Sequence, residues 1–205
     1  LAKLLNERWK TNIPPKWDLA FLPLDSDEGQ TYFNEMQYCV DFALANRKLM
    51  MERIIESFFN NGMPFSHDKI INIAHNYAAV ETHFSQKVIV HRKGATKASI
   101  DTVGIIPGSQ GTHSFIVKGK GNKESFESCS HGAGRVMGRK EAIRSLDFNK
   151  EKARLDNLGI LHCIRGKNDL EEAPGAYKDI NTVMKNQNDL VEILVEMSPL
   201  AVMKG

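Results

Sequence analysis

The sequence predicts an α+β fold, on three observations. Apolar residues recur at spacings of three and four between Phe33 and Phe58. β-rich runs replace that period after Pro64, and glycines crowd the middle of the chain. The 205 residues are 41% hydrophobic, close to the globular average, which excludes a disordered tail or a fibre.

In chain order, residues 1–30 read as a short amphipathic start and then an irregular segment broken by Pro14, Pro15 and Pro23. Phe33, Met36, Val40, Ala43, Leu44, Met50, Met51, Ile54, Ile55 and Phe58 then share one face of a helix over 31–60. At ~1.5 Å per residue it is about 45 Å long. Asn60-Asn61-Gly62 and Pro64 end it, and its methionines read as core filler. Short β runs follow at 69–74, 87–92, 103–106 and 115–117, with Lys93-Gly94 as a turn. Gly104, Gly108, Gly111, Gly119, Gly121, Gly132, Gly134 and Gly138 point to tight turns and close backbone approach to a ligand. A second helix is predicted from 138 to 157, stopped by Gly159. A helical turn near 181–187 and a strand near 190–197 close the chain. Neither a repeat nor a linker is visible, so 1–205 reads as one compact unit.

Net charge is only +2, but its distribution is uneven. From Lys87 to Lys123 stand Lys87, Arg92, Lys93, Lys97, Lys118, Lys120 and Lys123 against one acid, Asp101. Such a stretch suits polyphosphate or RNA, and it equally suits a solvated rim of loops. Cys39, Cys129 and Cys163 are odd in number and widely spaced, which is no disulfide framework and fits a reducing cytoplasm. The sequence holds no apolar run of about eighteen residues, so no membrane span is expected, and no charged-then-apolar signal segment opens it.

Three stretches could carry chemistry. His75-Asn76 follows the run Ile70–Ala74; a histidine there is either a hydrogen-bonded core residue or a ligand. His67, His83 and His91 lie at multiples of eight residues from it, which matches neither a helix nor a metal finger. In Pro107-Gly-Ser-Gln-Gly-Thr-His-Ser114, small hydroxyl residues between glycines can turn backbone N–H groups onto a phosphate, or form an ordinary surface turn. In Ser128-Cys-Ser-His-Gly-Ala-Gly-Arg135, a helix starting after Gly134 would aim its positive end near His131 and favour the neutral, nucleophilic imidazole. Arg135 could clamp a phosphate or RNA backbone bidentately. Cys129 is an alternative nucleophile. Lys204, near the end of the chain, is not singled out by physics.

The stretches HNYAAVETHF, RKGA, GIIPGSQGTHSFIVKGKGN, ESCSHGAGR, VMGRKEA and the closing KG resemble, in order and spacing, the C-terminal half of the RtcB family of RNA-splicing ligases. The 56 residues from His75 to His131 fit its shorter members. The resemblance covers essentially the whole chain and is densest from Ile71 to Ala142. It implies a fold of mixed and antiparallel sheets with a long N-terminal helix, lacking the N-terminal part of the family domain. It implies an enzyme that joins RNA ends bearing a 2′,3′-cyclic phosphate or 3′-phosphate to 5′-hydroxyl ends, as in tRNA splicing or RNA repair, using GTP and Mn²⁺. His131 would attack the α-phosphorus of GTP, release pyrophosphate and carry GMP to the RNA 3′-phosphate. His75 would be a metal ligand. Asn76, Pro107, Gly108, Ser109, Gln110, Ser114, Gly132, Ala133, Gly134 and Lys204 would contact the nucleotide, and Tyr177 would pack against the base.

The sequence departs from the family pattern in places. Gln110 stands where Met is usual, and Gly138 where Ser is usual. The family's further metal ligands, an Asp, a Cys and two histidines in GNHF-like and HSGSRG-like motifs, are absent from residues 1–205. The expected partners are therefore RNA, GTP and the missing N-terminal half, with no membrane. Two readings from other classes stand beside the ligase. One is a non-catalytic RNA- or nucleotide-binding fragment of it. The other is a histidine phosphotransferase unrelated to RNA.

Overall fold

The computed structural model describes residues 2–11, 13–17, 19–63 and 70–203. Helices and antiparallel sheets are mixed, as an α+β fold requires. By contact density the chain divides into two compact units, Leu1–Arg53 and Ile54–Gly205.

The first unit carries helix α1 (Ala2–Arg8), a 3-10 turn at Pro15–Trp17 and most of helix α2 (Asp27–Asn60). Asn6 fastens the irregular segment: its side chain donates to the carbonyl of Phe21 at 2.7 Å and accepts from the N–H of Phe21 at 3.1 Å. Ser26 caps α2, its Oγ accepting from the N–H of Gly29 at 3.1 Å, and Asp27 and Glu28 complement the helix dipole. The predicted helix is present and starts four residues early. Its burial is not as expected. Gly29 is its one buried residue among those described, and Met50 and Met51 are 56% and 39% exposed. The methionines are therefore not core filler in this chain.

The second unit is built on three small antiparallel sheets. Strands β1 (Asn76–His83) and β2 (Gln86–Lys93) form a hairpin around Phe84-Ser85. Both loop residues have positive φ, 50° and 62°, the pattern of a type I′ turn without its usual Asn-Gly. The β run expected over 69–74 is not a strand: 70–75 is irregular, Lys69 lies outside the described residues, and the strand begins at Asn76. The apolar run 70–74 has no strand partner, because the hairpin pairing with β2 runs from Asn76 to His83 and lies wholly past it. Strand β3 (Ala95–Lys97) pairs with β6 (Ser128–Ser130). Strands β4 (Val103–Ile106), β5 (Ser114–Gly119) and β7 (Val191–Met197) make the third sheet, with β5 central and a register shift that skips Leu194.

The inner face of that sheet supplies the core. Ile106, Phe115 and Val117 are at most 2% exposed and pack with Ala133, Ile180 and Met184. Burying a side chain such as Phe115 contributes about 2–3 kcal/mol. The helix predicted over 138–157 is two helices, α3 (Arg139–Ser145) and α4 (Phe148–Asn157). Asp147 breaks it by capping α4, accepting from the N–H of Lys150 at 2.9 Å. Helix α5 (Ile180–Lys185) occupies the predicted helical turn.

Candidate active site

The junction of the first two sheets brings His75, Gly94 and His131 together. The N–H groups of Gly94 and His131 donate to the carbonyls of His75 and Gly94 at 3.3 and 3.4 Å. Gly94 has φ +74°, a conformation that a residue with a Cβ adopts only at a cost. The rings of His75 and His131 stack, with centroids 5.5 Å apart and planes 18° apart.

The tautomer of His131 follows from its partner. Nδ1 lies 2.8 Å from the carbonyl oxygen of Gly94. A carbonyl only accepts, so Nδ1 carries the hydrogen. In the neutral ring Nε2 then holds a bare lone pair, the form that can attack an electrophile. A backbone carbonyl does here what a carboxylate does in other activated histidines. No helix starts directly after Gly134: α3 begins at Arg139, eight residues past His131, so the condition for a helix end beside His131 is not met.

The two glycine loops meet. The N–H of Ala133 donates to the carbonyl of Pro107 at 2.9 Å. Gly108 must be glycine, since a Cβ there would stand 2.1 Å from the carbonyl oxygen of His113. Within the 107–114 loop, Gly108 donates to the Oγ of Ser114 at 3.2 Å and Ser109 to the Oγ1 of Thr112 at 2.6 Å. Two N–H groups expected to face a phosphate are thus satisfied by the loop's own hydroxyls. Gln110 is half-buried, Asn76 is exposed at the start of β1, and Gly132 and Ala133 are buried. Ser130 is pinned on both sides: its N–H donates to Oε1 of the buried Gln187 at 3.0 Å, and its Oγ to the carbonyl of Gly132 at 2.6 Å.

Arg135 and Tyr177 occupy each other. The guanidinium donates to the carbonyl of Met137 at 3.0 Å, to Glu172 at 3.1 Å, to the hydroxyl of Tyr177 at 3.2 Å and to the carbonyl of Glu171. Four of its five N–H groups are so engaged, and its carbon lies 5.1 Å over the Tyr177 ring. Arg135 therefore braces the loop after His131, and one face of Tyr177 is covered. Lys204 and His67 lie outside the described residues.

The basic stretch is largely consumed internally. Arg92 is 1% exposed, and all five of its N–H groups are used: on Ser128 Oγ, Tyr77 hydroxyl, both oxygens of Glu81, and the carbonyl of Phe126. It ties β2 to β6, the strand that leads into His131. Hydrogen bonds from Arg92, with those from His83 and the charge of Lys97, outweigh burial and hold the Glu81 carboxyl at about 2. Lys118 faces Asp101 and Glu192, and Lys120 donates to the carbonyl of Asn188. Lys87, Lys93 and Lys123 stay exposed, with no partner among the described residues. Burial pushes the Cys129 thiol up, against a weaker opposing hydrogen bond from Thr96, so the alternative nucleophile is an inert buried thiol.

Three features that shape the site are not legible in the sequence. Gly94 was visible as a turn, but the use of its carbonyl was not. Gln187 and the Glu81–Arg92 pair gave no signal, since their partners lie 57 and 11 residues away.

A histidine whose tautomer is fixed between two glycine loops can present a nucleophilic nitrogen. A family model described as tRNA-splicing ligase RtcB matches residues 2–205, and the chain belongs to that family. It is 36% identical over 93% of its length to the RNA-splicing ligase RtcB of Escherichia coli, covering 48% of that protein. It is 37% identical over 96% of its length to the tRNA-splicing ligase RtcB of Pyrococcus horikoshii, covering 26%, and 36% identical over its full length to that of Methanococcus maripaludis, covering 48%. The chain thus spans about half the length, or less, of these curated relatives. No helix among the described residues is long and apolar enough to cross a membrane.

Proposed function

We propose that this chain is the C-terminal portion of a single ligase domain that joins RNA 2′,3′-cyclic phosphate or 3′-phosphate ends to 5′-hydroxyl ends, using GTP and Mn²⁺. The observation that carries the reading is the hydrogen bond from His131 Nδ1 to the Gly94 carbonyl, which leaves Nε2 as the nucleophile. Nε2 attacks the α-phosphorus of GTP; the new P–N bond forms as the bond to the bridging oxygen breaks and pyrophosphate leaves. A 2′,3′-cyclic end first takes up water, which breaks its P–O2′ bond and leaves a 3′-phosphate. An oxygen of the 3′-phosphate then takes the GMP as the P–N bond to His131 breaks, and attack by the 5′-hydroxyl expels GMP. Splitting the joining in this way replaces one hard step with easier ones. The 107–110 and 132–134 loops, Ser114, Asn76, Tyr177 and Lys204 are assigned to the nucleotide. Opening of the Gly108–Ser114 and Ser109–Thr112 bonds would free two N–H groups for a phosphate.

The metal fits only in part. His75, stacked on His131, offers one imidazole. Among the described residues, no group of three or more His, Cys, Asp or Glu could hold an ion. The remaining donors are assigned to the part of the domain beyond this chain. The same observation favours a second reading for the isolated chain, a nucleotide- or RNA-binding fragment without catalysis. Incubation with labelled GTP and Mn²⁺, with and without the rest of a ligase domain, separates them. A GMP adduct only in the complemented sample supports the first reading; no adduct in either leaves the second.

A further inference from the structure

The outer face of the β4–β5–β7 sheet carries an apolar row where an antiparallel sheet facing water is polar. Ile105 pairs with Ile116, and Ile116 with Val195, so one row of β-branched side chains crosses all three strands. Ile105 is 37% and Val195 46% exposed; the next row sets Val103, 41% exposed, beside the ion-paired Lys118 and Glu192 and so borders the apolar row with charge. On the other face Ile106, Phe115 and Val117 are at most 2% exposed, while Ile193 and Glu196, their neighbours on the edge strand β7, are exposed. The row is flanked on one side by Ser114 and Met197, so whatever covers it also borders the 107–114 loop.

A further observation says what the cover is. The relatives from E. coli and M. maripaludis are about twice as long as the matched region. We propose that the outer face of the β4–β5–β7 sheet is the docking surface for the part of a family-length ligase domain that this chain does not contain. The inference rests on family membership and not on the chemistry assigned to His131.

The test compares two proteins carrying Val195→Cys: the 205-residue chain, and a chimera in which the chain replaces the matching region of the E. coli relative. Thiol labelling is followed at residue 195 by peptide mass, against the exposed native Cys163 as an internal standard. Residue 195 should label as fast as Cys163 in the chain and at least tenfold more slowly in the chimera. Ile105→Asp should lower the melting temperature of the chimera by several degrees and leave that of the chain unchanged. Equal labelling in both proteins, or a chimera without a cooperative melt, overturns the proposal. Protection that grows with concentration in the chain would assign the face to a second copy and overturn it as well. A chimera that protects residue 195 yet gains no GMP adduct would leave docking in place and remove the ligase chemistry.

Discussion

At the scale of the residue, the site turns on where one proton sits. The Gly94 carbonyl can only accept, so the hydrogen of His131 is held on Nδ1. Gly94→Ala tests this without touching the imidazole. The added Cβ would make ordinary contact with the His131 ring at 3.7 Å, but φ +74° costs a residue with a side chain about 1–2 kcal/mol. The backbone should relax, the carbonyl should move, and the rate of GMP transfer to His131 should fall by tenfold or more while the fold is retained. An unchanged charging rate would remove Gly94 from the mechanism. Glu81 offers a second test, by pH. Its folded carboxyl sits at about 2, below the ordinary 4.5, so its ion pair stabilises the fold above about pH 4.5 and that contribution is lost as pH falls toward 2. At about 1.4 kcal/mol per pH unit the effect is about 3 kcal/mol. Glu81→Gln should lower stability at neutral pH and flatten the acid limb between pH 4.5 and 2, read by denaturant titration at each pH. A variant with the wild-type acid limb would show that Glu81 is not the group responsible.

At the scale of the element, periodicity was readable where packing repeats locally, and failed where a distant partner decides. The apolar spacing from Phe33 to Phe58 gave α2, and short β-rich runs gave β2, β4, β5 and β7. The run Ile70–Ala74 looked like a strand because β-branched residues cluster there, yet its backbone is irregular and pairing starts at Asn76. The break between α3 and α4 was legible in principle, because Asp147 stands three residues before Lys150 with the side chain of a good cap. Asp147→Ala should destabilise the protein by about 1 kcal/mol, seen as a lower melting temperature, with no effect on nucleotide affinity. A neutral result would mean that the helix break is set by packing and not by the cap. The basic stretch was counted correctly and interpreted only in part. Arg92 looked like an RNA contact and is a buried strut; its charge gave no hint that Glu81 would take it. Of the candidate site, the loops and the two histidines were readable from motif and spacing. The bond that fixes the tautomer was not, since it joins residues 37 apart.

At the scale of the whole molecule, the exposed cations and the divided chain set the expectations. With Lys87, Lys93 and Lys123 available, a single strand of RNA should show a salt slope near −2, so affinity falls about tenfold between low and moderate salt. A flat response would assign those lysines to a solvated rim. One imidazole does not hold Mn²⁺, which sits lowest in divalent affinity, so calorimetry on the isolated chain should show weak binding and no charging with GMP. The central claim is that Nε2 of His131 carries the nucleotide. Its most direct test is to incubate the chimeric full-length ligase with GTP and Mn²⁺ and map the adduct by peptide mass and by the nitrogen-to-phosphorus coupling of the labelled ring. An acid-labile GMP is expected on His131 Nε2, and His131→Ala should abolish it; an adduct on Nδ1, on another residue, or persisting in that variant would show that Nε2 of His131 is not the carrier.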